Sequence, residues 1–360
     1  MNLGELSTIV VWGATTAYAI AFGAFAADLA RRAEVASTKR VRHTTPVLAG
    51  ALVSGGEASA DVAEADADLD GLENDAADGP ADPEAADDAP DGPDVADELP
   101  EYRPGKALGI AMSLTTLGLG LQLAGIVLRG LAAERIPWAN LYEFLVVGTF
   151  VAVLTFRILC LRRDVRFLGA GVLGFSVVAL GLGLTAFYMP AQGVEPALQS
   201  YWLVIHVTIA VIATGVFTVA VSASVLQLLK DAWEQGSPRL AHPRFRLLGQ
   251  LPSVRSLEAL AFRLNAVGFV LWTFTVMAGA VWAEHAWSRF WGWDPKEVWS
   301  FIVWVVYAAY LHARTTRGWS ARAVAWFSIA GFAVLIFNLT GVNMLLGGKH
   351  TYSGISRSQG

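Results

Sequence analysis

Eight stretches of this 360-residue chain are apolar for long enough to cross a hydrocarbon core, and no other feature restricts its fold so tightly. They fall at about 8–30, 107–130, 143–161, 167–189, 201–229, 265–284, 297–313 and 323–343. A helix of roughly 18 or more mostly apolar residues spans a ~30 Å core. The expected fold class is therefore all-α: a polytopic membrane helical bundle of about eight transmembrane helices. Composition agrees, with 54% apolar and 16% charged residues and a mean hydropathy of +0.48, whereas soluble domains carry about 25% charged residues. The first run is too long, and too poor in preceding basic residues, for a cleaved signal peptide, so a retained helix is expected over 1–31.

The net charge of −5 averages two unlike parts. Seventeen of the 31 acidic residues lie between Glu57 and Glu98, a stretch with no Lys or Arg. Rich in Ala, Asp, Pro and Gly, it has little to bury and reads as a disordered, self-repelling linker. Residues 32–104 are thus expected to form a basic segment followed by this acidic linker. Residues 105–360 then carry the other seven helices. Elsewhere the chain is basic, and its Lys and Arg alternate by loop. Arg31, Arg32, Lys39, Arg40 and Arg42, then Arg162, Arg163 and Arg166, then the 230–263 segment, then Arg314, Arg317 and Arg322 mark one side. The loop at 190–200 has none, and 285–296 has only Arg289 and Lys296. By the positive-inside rule the basic loops are cytoplasmic, and both termini and the 285–297 loop face outward. Cys160 stands alone, so the chain builds no disulfide, CxxC pair or CxxCH haem-attachment site.

Trp282, Trp287, Trp291, Trp293 and Trp299 crowd into one short region. Trp is enriched at every membrane interface, but such concentration equally suits a platform for a flat, apolar ligand; spacing alone does not separate the two. Asp294-Pro295-Lys296-Glu297 reads as a capping box opening the seventh helix, a reading preferred to a catalytic carboxylate pair. Lys296 and Arg289 remain to meet an anionic group such as a propionate. Among the six histidines, His43 and His242 sit in basic segments and read as surface residues. His206 lies roughly 8 Å inside its helix at 1.5 Å per residue, and ionisable groups at that depth are usually functional. His285 is either ligand or bystander. His312 lies ~22 Å along its helix from Glu297, too far to share one iron with histidines of the outer end.

At this point the residues resemble a known family. WSRFWGWDPKEVWSFIVWVVYAAYLHAR (287–314) is similar to the WWD signature of haem-handling proteins of cytochrome c biogenesis. WLVIHV (202–207), YLHAR (310–314), GGKHTYS (347–353) and IPWANLYEF (136–144) resemble its flanking segments. Together, over roughly 107–353, they resemble the CcsA/ResC component of the system II cytochrome c synthetase, labelled CcsB in some bacteria. Ser288 and Phe290 replace the family's usual Gly and Tyr; neither removes an aromatic face or a ligand. The resemblance implies haem b as bound substrate, His206 and His350 as outer iron ligands, and His312 as a membrane-embedded ligand. It implies that Trp287, Trp291, Trp293, Asp294 and Trp299 form the haem platform, and that His285 is a bystander. It further implies a bacterial plasma-membrane location, a CcsB/ResB-type partner, an apocytochrome c bearing CxxCH as client, a possible thiol-reducing protein, and no nucleic acid. The function expected is haem presentation for thioether attachment, within a holocytochrome c synthase complex. A haem carrier without ligation activity, a cytochrome b-like electron-transfer subunit and a secondary transporter are the competing expectations. The last would show related halves with broken helices, and the chain has no such repeat.

Overall fold

The computed structural model describes residues 1–51, 105–193, 200–316 and 318–350. The acidic run, with the linker expected there, lies outside the described residues, as does the tail beyond His350. What is described is helical. In chain order come α1 (Leu3–Ala51), α2 (Lys106–Ala133), α3 (Leu141–Arg162), α4 (Gly169–Thr185), α5 (Tyr201–Glu234), α6 (Val254–Trp287), α7 (Pro295–Thr315) and α8 (Ala321–Ile336). α8 continues through a wide π-turn, Phe337–Gly341, into Val342–Leu345. The chain is a multi-pass membrane helical bundle.

Seven of the segments are long and apolar enough to span a membrane, against the eight expected; α7 is the one left out. Its Trp299, Trp304, Tyr307, Tyr310 and His312 stand where aliphatic side chains would otherwise raise hydropathy. Several helices also outrun their apolar cores. α6 begins at Val254 rather than 265, capped by Ser253, because helix formation needs only capping and propensity while membrane burial needs apolarity. α1 likewise runs on through the basic segment to Ala51.

α5 is the hub, packing against α6, α3, α8 and α4. Ala213 and Phe217 of α5, Trp272 of α6, Val303 and Tyr307 of α7, and Phe332 and Leu335 of α8 form the buried core. Phe217 and Tyr307 stack there at 3.9 Å. On the other flank, α1 meets α2 where Gly118 leaves no room for a methyl beside the Tyr18 ring. The Tyr18 hydroxyl donates to Gln122 Oε1 at 2.7 Å, and the Gln122 amide donates to the Val146 carbonyl of α3 at 2.9 Å. Lipid offers no hydrogen bonds, so such polar side chains are retained inside the bundle only when satisfied there.

Candidate functional site

At the end of the bundle where α5 and α7 begin and α6 and α8 finish, a wide-mouthed cavity opens among the helices. Its wall draws on Trp138, Asn140 and Phe144 at the start of α3, His206 on α5, and Trp272 and Trp282 on α6. Phe290 and Trp291 come from the loop, Lys296 and Glu297 from α7, Asn338 and Asn343 from the end of α8, and His350 from the tail. The two histidines, remote in the chain, share this one cavity.

Each imidazole is held by Nδ1. His206 Nδ1 lies 2.9 Å from the Thr275 carbonyl oxygen, and a carbonyl only accepts, so the ring donates from Nδ1. Gly279 leaves room for the ring: a Cβ there would stand 2.8 Å from its Cε1. His350 Nδ1 lies 2.8 Å from Asp294 Oδ1. Neither Nε2 has a hydrogen-bond partner among the described residues. With Nδ1 committed as donor, Nε2 of the neutral ring keeps its lone pair, the arrangement of a metal-ligating histidine with an oriented ring. No cluster of three or more His, Cys, Asp or Glu side chains that could hold a bare ion occurs among the described residues. Two imidazoles suit an iron whose other ligands come from a macrocycle.

Asp294 does two jobs. Within the capping box it accepts from the Lys296 N–H, while Glu297 Oε2 accepts from Asp294 N at 3.1 Å and Gly292 N at 2.7 Å. Its Oδ2 accepts from Lys349 N at 2.6 Å, so the tail is fastened to the start of α7 through one carboxylate. Gly348 makes this approach feasible, since a Cβ there would lie 2.5 Å from Oδ2. Burial alone would raise the Asp294 carboxyl. The bonds from His350, Lys349 N and Lys296 N outweigh it and hold the group at about 2.

The indoles divide. Trp282, 2% exposed, stacks on His206 with centroids 6.0 Å apart and meets His350 edge-on at 5.5 Å. Trp287 meets His350 at 4.8 Å. Trp291 lines the cavity and meets Trp293 edge-on. Trp293, 75% exposed, points outward on a left-handed backbone with φ of 56°, a conformation that costs a bulky residue of order 1–3 kcal/mol. Trp299 is not part of the cavity wall; it packs on Phe337 at 4.4 Å and buttresses the π-turn. The loop itself is shorter than 285–297, because α6 continues to Trp287 and α7 starts at Pro295. His285 therefore sits in the last turns of α6, exposed, with Nδ1 2.9 Å from the Val281 carbonyl. Arg289 lies over Gly292 rather than in the cavity wall. His312 is exposed near the far end of α7 and is not part of the cavity wall.

Sequence reasoning passed over two parts of the wall. Trp138 and Trp272 line the cavity, and Trp272 donates from Nε1 to the Ser300 carbonyl at 3.0 Å. Behind Trp138, Glu143 is wholly buried between two guanidinium groups, Arg129 Nε at 2.9 Å and Arg135 NH1 at 2.7 Å. It also accepts from Ala139 N, while Asn140 caps α3 through Glu143 N. The available signal was a charge at matching ends of two adjacent apolar runs, Arg129 and Glu143, which membrane burial makes costly unless paired.

The family model described as "Cytochrome C assembly protein" matches residues 138–350, from the cavity's first indole to its second histidine. The chain is 34% identical over 268 residues to the "Cytochrome c biogenesis protein CcsA" of Parasynechococcus marenigrum (strain WH8102), covering 68% of this chain and 86% of the relative. It is 35% identical over 272 residues to the protein of that description in Synechococcus sp. (strain CC9311), covering 68% and 87%. For Chlamydomonas reinhardtii the figures are 32% over 251 residues, covering 68% and 67%. The chain belongs to the cytochrome C assembly protein family, in its CcsA/ResC branch.

Proposed function

We propose that this chain works in cytochrome c biogenesis as the haem-binding and haem-translocating subunit of a system II cytochrome c synthetase. The observation that carries this reading is the pair of Nδ1-anchored imidazoles, His206 and His350, sharing one indole-walled cavity. Haem enters as substrate: His206 and His350 cap its iron, and Trp282, Trp287 and Trp291 lie against the ring and its ligands. Attachment adds a cysteine S–H across each vinyl C=C, forming one S–C bond and one C–H bond with no net redox change. What the chain supplies is position, since holding thiols beside vinyls removes most of the entropic barrier. The tryptophan-loop end is outward and the basic loops cytoplasmic, in a bacterial plasma membrane. His312, exposed on the membrane face of α7, receives haem nearer the cytoplasmic side, with a second ligand from a CcsB/ResB-type partner. The client is an apocytochrome c with CxxCH, and thiol-reducing proteins keep its cysteines reduced.

The test is purification with the partner, followed by haem spectra of His206→Ala, His350→Ala and His312→Ala. The two outer variants are expected to lose the bis-imidazole spectrum and regain it with added imidazole. His312→Ala keeps that spectrum at lower loading. Unchanged spectra in all three would sink the ligand assignment. A carrier without ligation would need the same ligands, so attachment of haem to a CxxCH peptide by the purified complex separates the two. Gly279→Ala should act like a mild ligand variant: overpacking costs about 1–3 kcal/mol, taken out here on the His206 ring. Its haem occupancy falls while helicity by circular dichroism stays at the wild-type level; full occupancy would refute the role given to the glycine.

A further inference from the structure

Among the polar residues that line the cavity, Lys296, Asn338 and Asn343 come together. Lys296 Nζ donates to the Asn338 carbonyl at 2.5 Å and to Asn343 Oδ1 at 3.2 Å. Both acceptors are neutral, and no carboxylate pairs with this ammonium among the described residues. The adjacent acids make their hydrogen bonds elsewhere, although the buried Glu297 Oε1 has no partner. Asp294 holds His350, Lys349 N and Lys296 N, and Glu297 holds the loop amides of Gly292 and Asp294 through Oε2. Asp294 acts on this ammonium only across a distance, and a half-buried cation with no carboxylate in contact is costly.

Nor does local structure call for a cation there. Lys296 occupies the first turn of α7, where the helix dipole disfavours positive charge by roughly 0.3–1 kcal/mol. The two acceptors come from the end of α8 reshaped by the π-turn, a feature frequently found at functional sites. Asn338 is 1% exposed, and its Oδ1 has no partner while its amide donates to Ser300 Oγ. Three helix positions thus converge on one ammonium in the cavity wall.

We propose that Lys296 is a carboxylate-receiving site. It pairs with a carboxylate on the rim of the ligand held between His206 and His350, which rests on the haem reading above. Two axial ligands leave a flat macrocycle free to rotate about the axis through its iron. One ion pair at the periphery removes that freedom and decides which edge faces the cavity mouth. Lys296 in this role sets the register of the substrate, while the histidines set its height.

The experiment compares binding of haem with that of its dimethyl ester, in which both propionates are neutral, by titration of the bis-imidazole spectrum. The partner-bound complex is used in wild type, Lys296→Gln and Lys296→Arg. Wild type is expected to prefer the diacid about tenfold, equivalent to about 1.4 kcal/mol. Lys296→Gln binds both forms alike and with the ester affinity of wild type; Lys296→Arg keeps the preference. Equal binding of both forms by wild type, or an undiminished preference in Lys296→Gln, overturns the proposal while leaving the haem reading standing. If neither form gives a bis-imidazole spectrum in wild type, both are overturned.

Discussion

Alanine at Glu143 is expected to destabilise the bundle by about 3–5 kcal/mol, the cost of leaving a buried charge without its partner. The carboxylate is inaccessible to solvent and touches Arg129 and Arg135. Removing it strands both guanidiniums and the Ala139 N–H. The strap from 135 to 140 should detach, carrying Trp138 and Asn140 off the cavity wall. A lowered unfolding midpoint in detergent and new protease cleavage within 134–140 are the expected readouts. The double variant Glu143→Leu with Arg129→Met should recover part of the loss, because apolar replacement of both partners leaves less charge unpaired. If the single variant melts with wild type, the ion-pair knot is not what holds the strap.

Asp294→Ala should produce the second large effect, and in two measurable quantities. Loss of the cap costs about 0.5–2 kcal/mol. Loss of the His350 partner should lower haem affinity 10–100-fold, the usual penalty for deleting a group that orients a metal ligand. Asp294→Asn separates the contributions. Asparagine caps helices as well as aspartate, so stability should stay close to wild type. Its amide offers one acceptor oxygen where the carboxylate offers two, so the His350 and Lys349 contacts cannot both persist, and haem affinity should still fall. An asparagine variant that binds haem like wild type would reduce Asp294 to a helix cap. The pH dependence has a definite sign. A carboxyl held below its ordinary value stabilises the docked tail above the usual carboxylate range. That contribution is lost as pH falls through about 2.

Local features were legible without any structure. Asp294 and Glu297 are three residues apart, so a capping box needs only the first turn of α7 to form, and it does form. The apolar runs located the spans, though α6 and α5 continue past them, since hydropathy reports what lipid tolerates and not where hydrogen bonding stops. The tryptophan cluster was visible as a cluster, but not its division of labour. Trp282 touches both histidine rings, Trp299 braces the π-turn and Trp293 faces out. Helical phase turns each indole, and phase at a helix end depends on where α6 stops and α7 starts.

The sequence by itself determined a helical membrane bundle and the capped entry to α7, because length, apolarity and capping act within a few turns of chain. Only the tertiary structure decided that His206 and His350 share a wall and that Lys296, not Arg289, joins it. It also decided that Glu143 ties the strap behind Trp138. Those contacts join residues far apart in the chain, and the packing of α5 against α6 and α8 sets them.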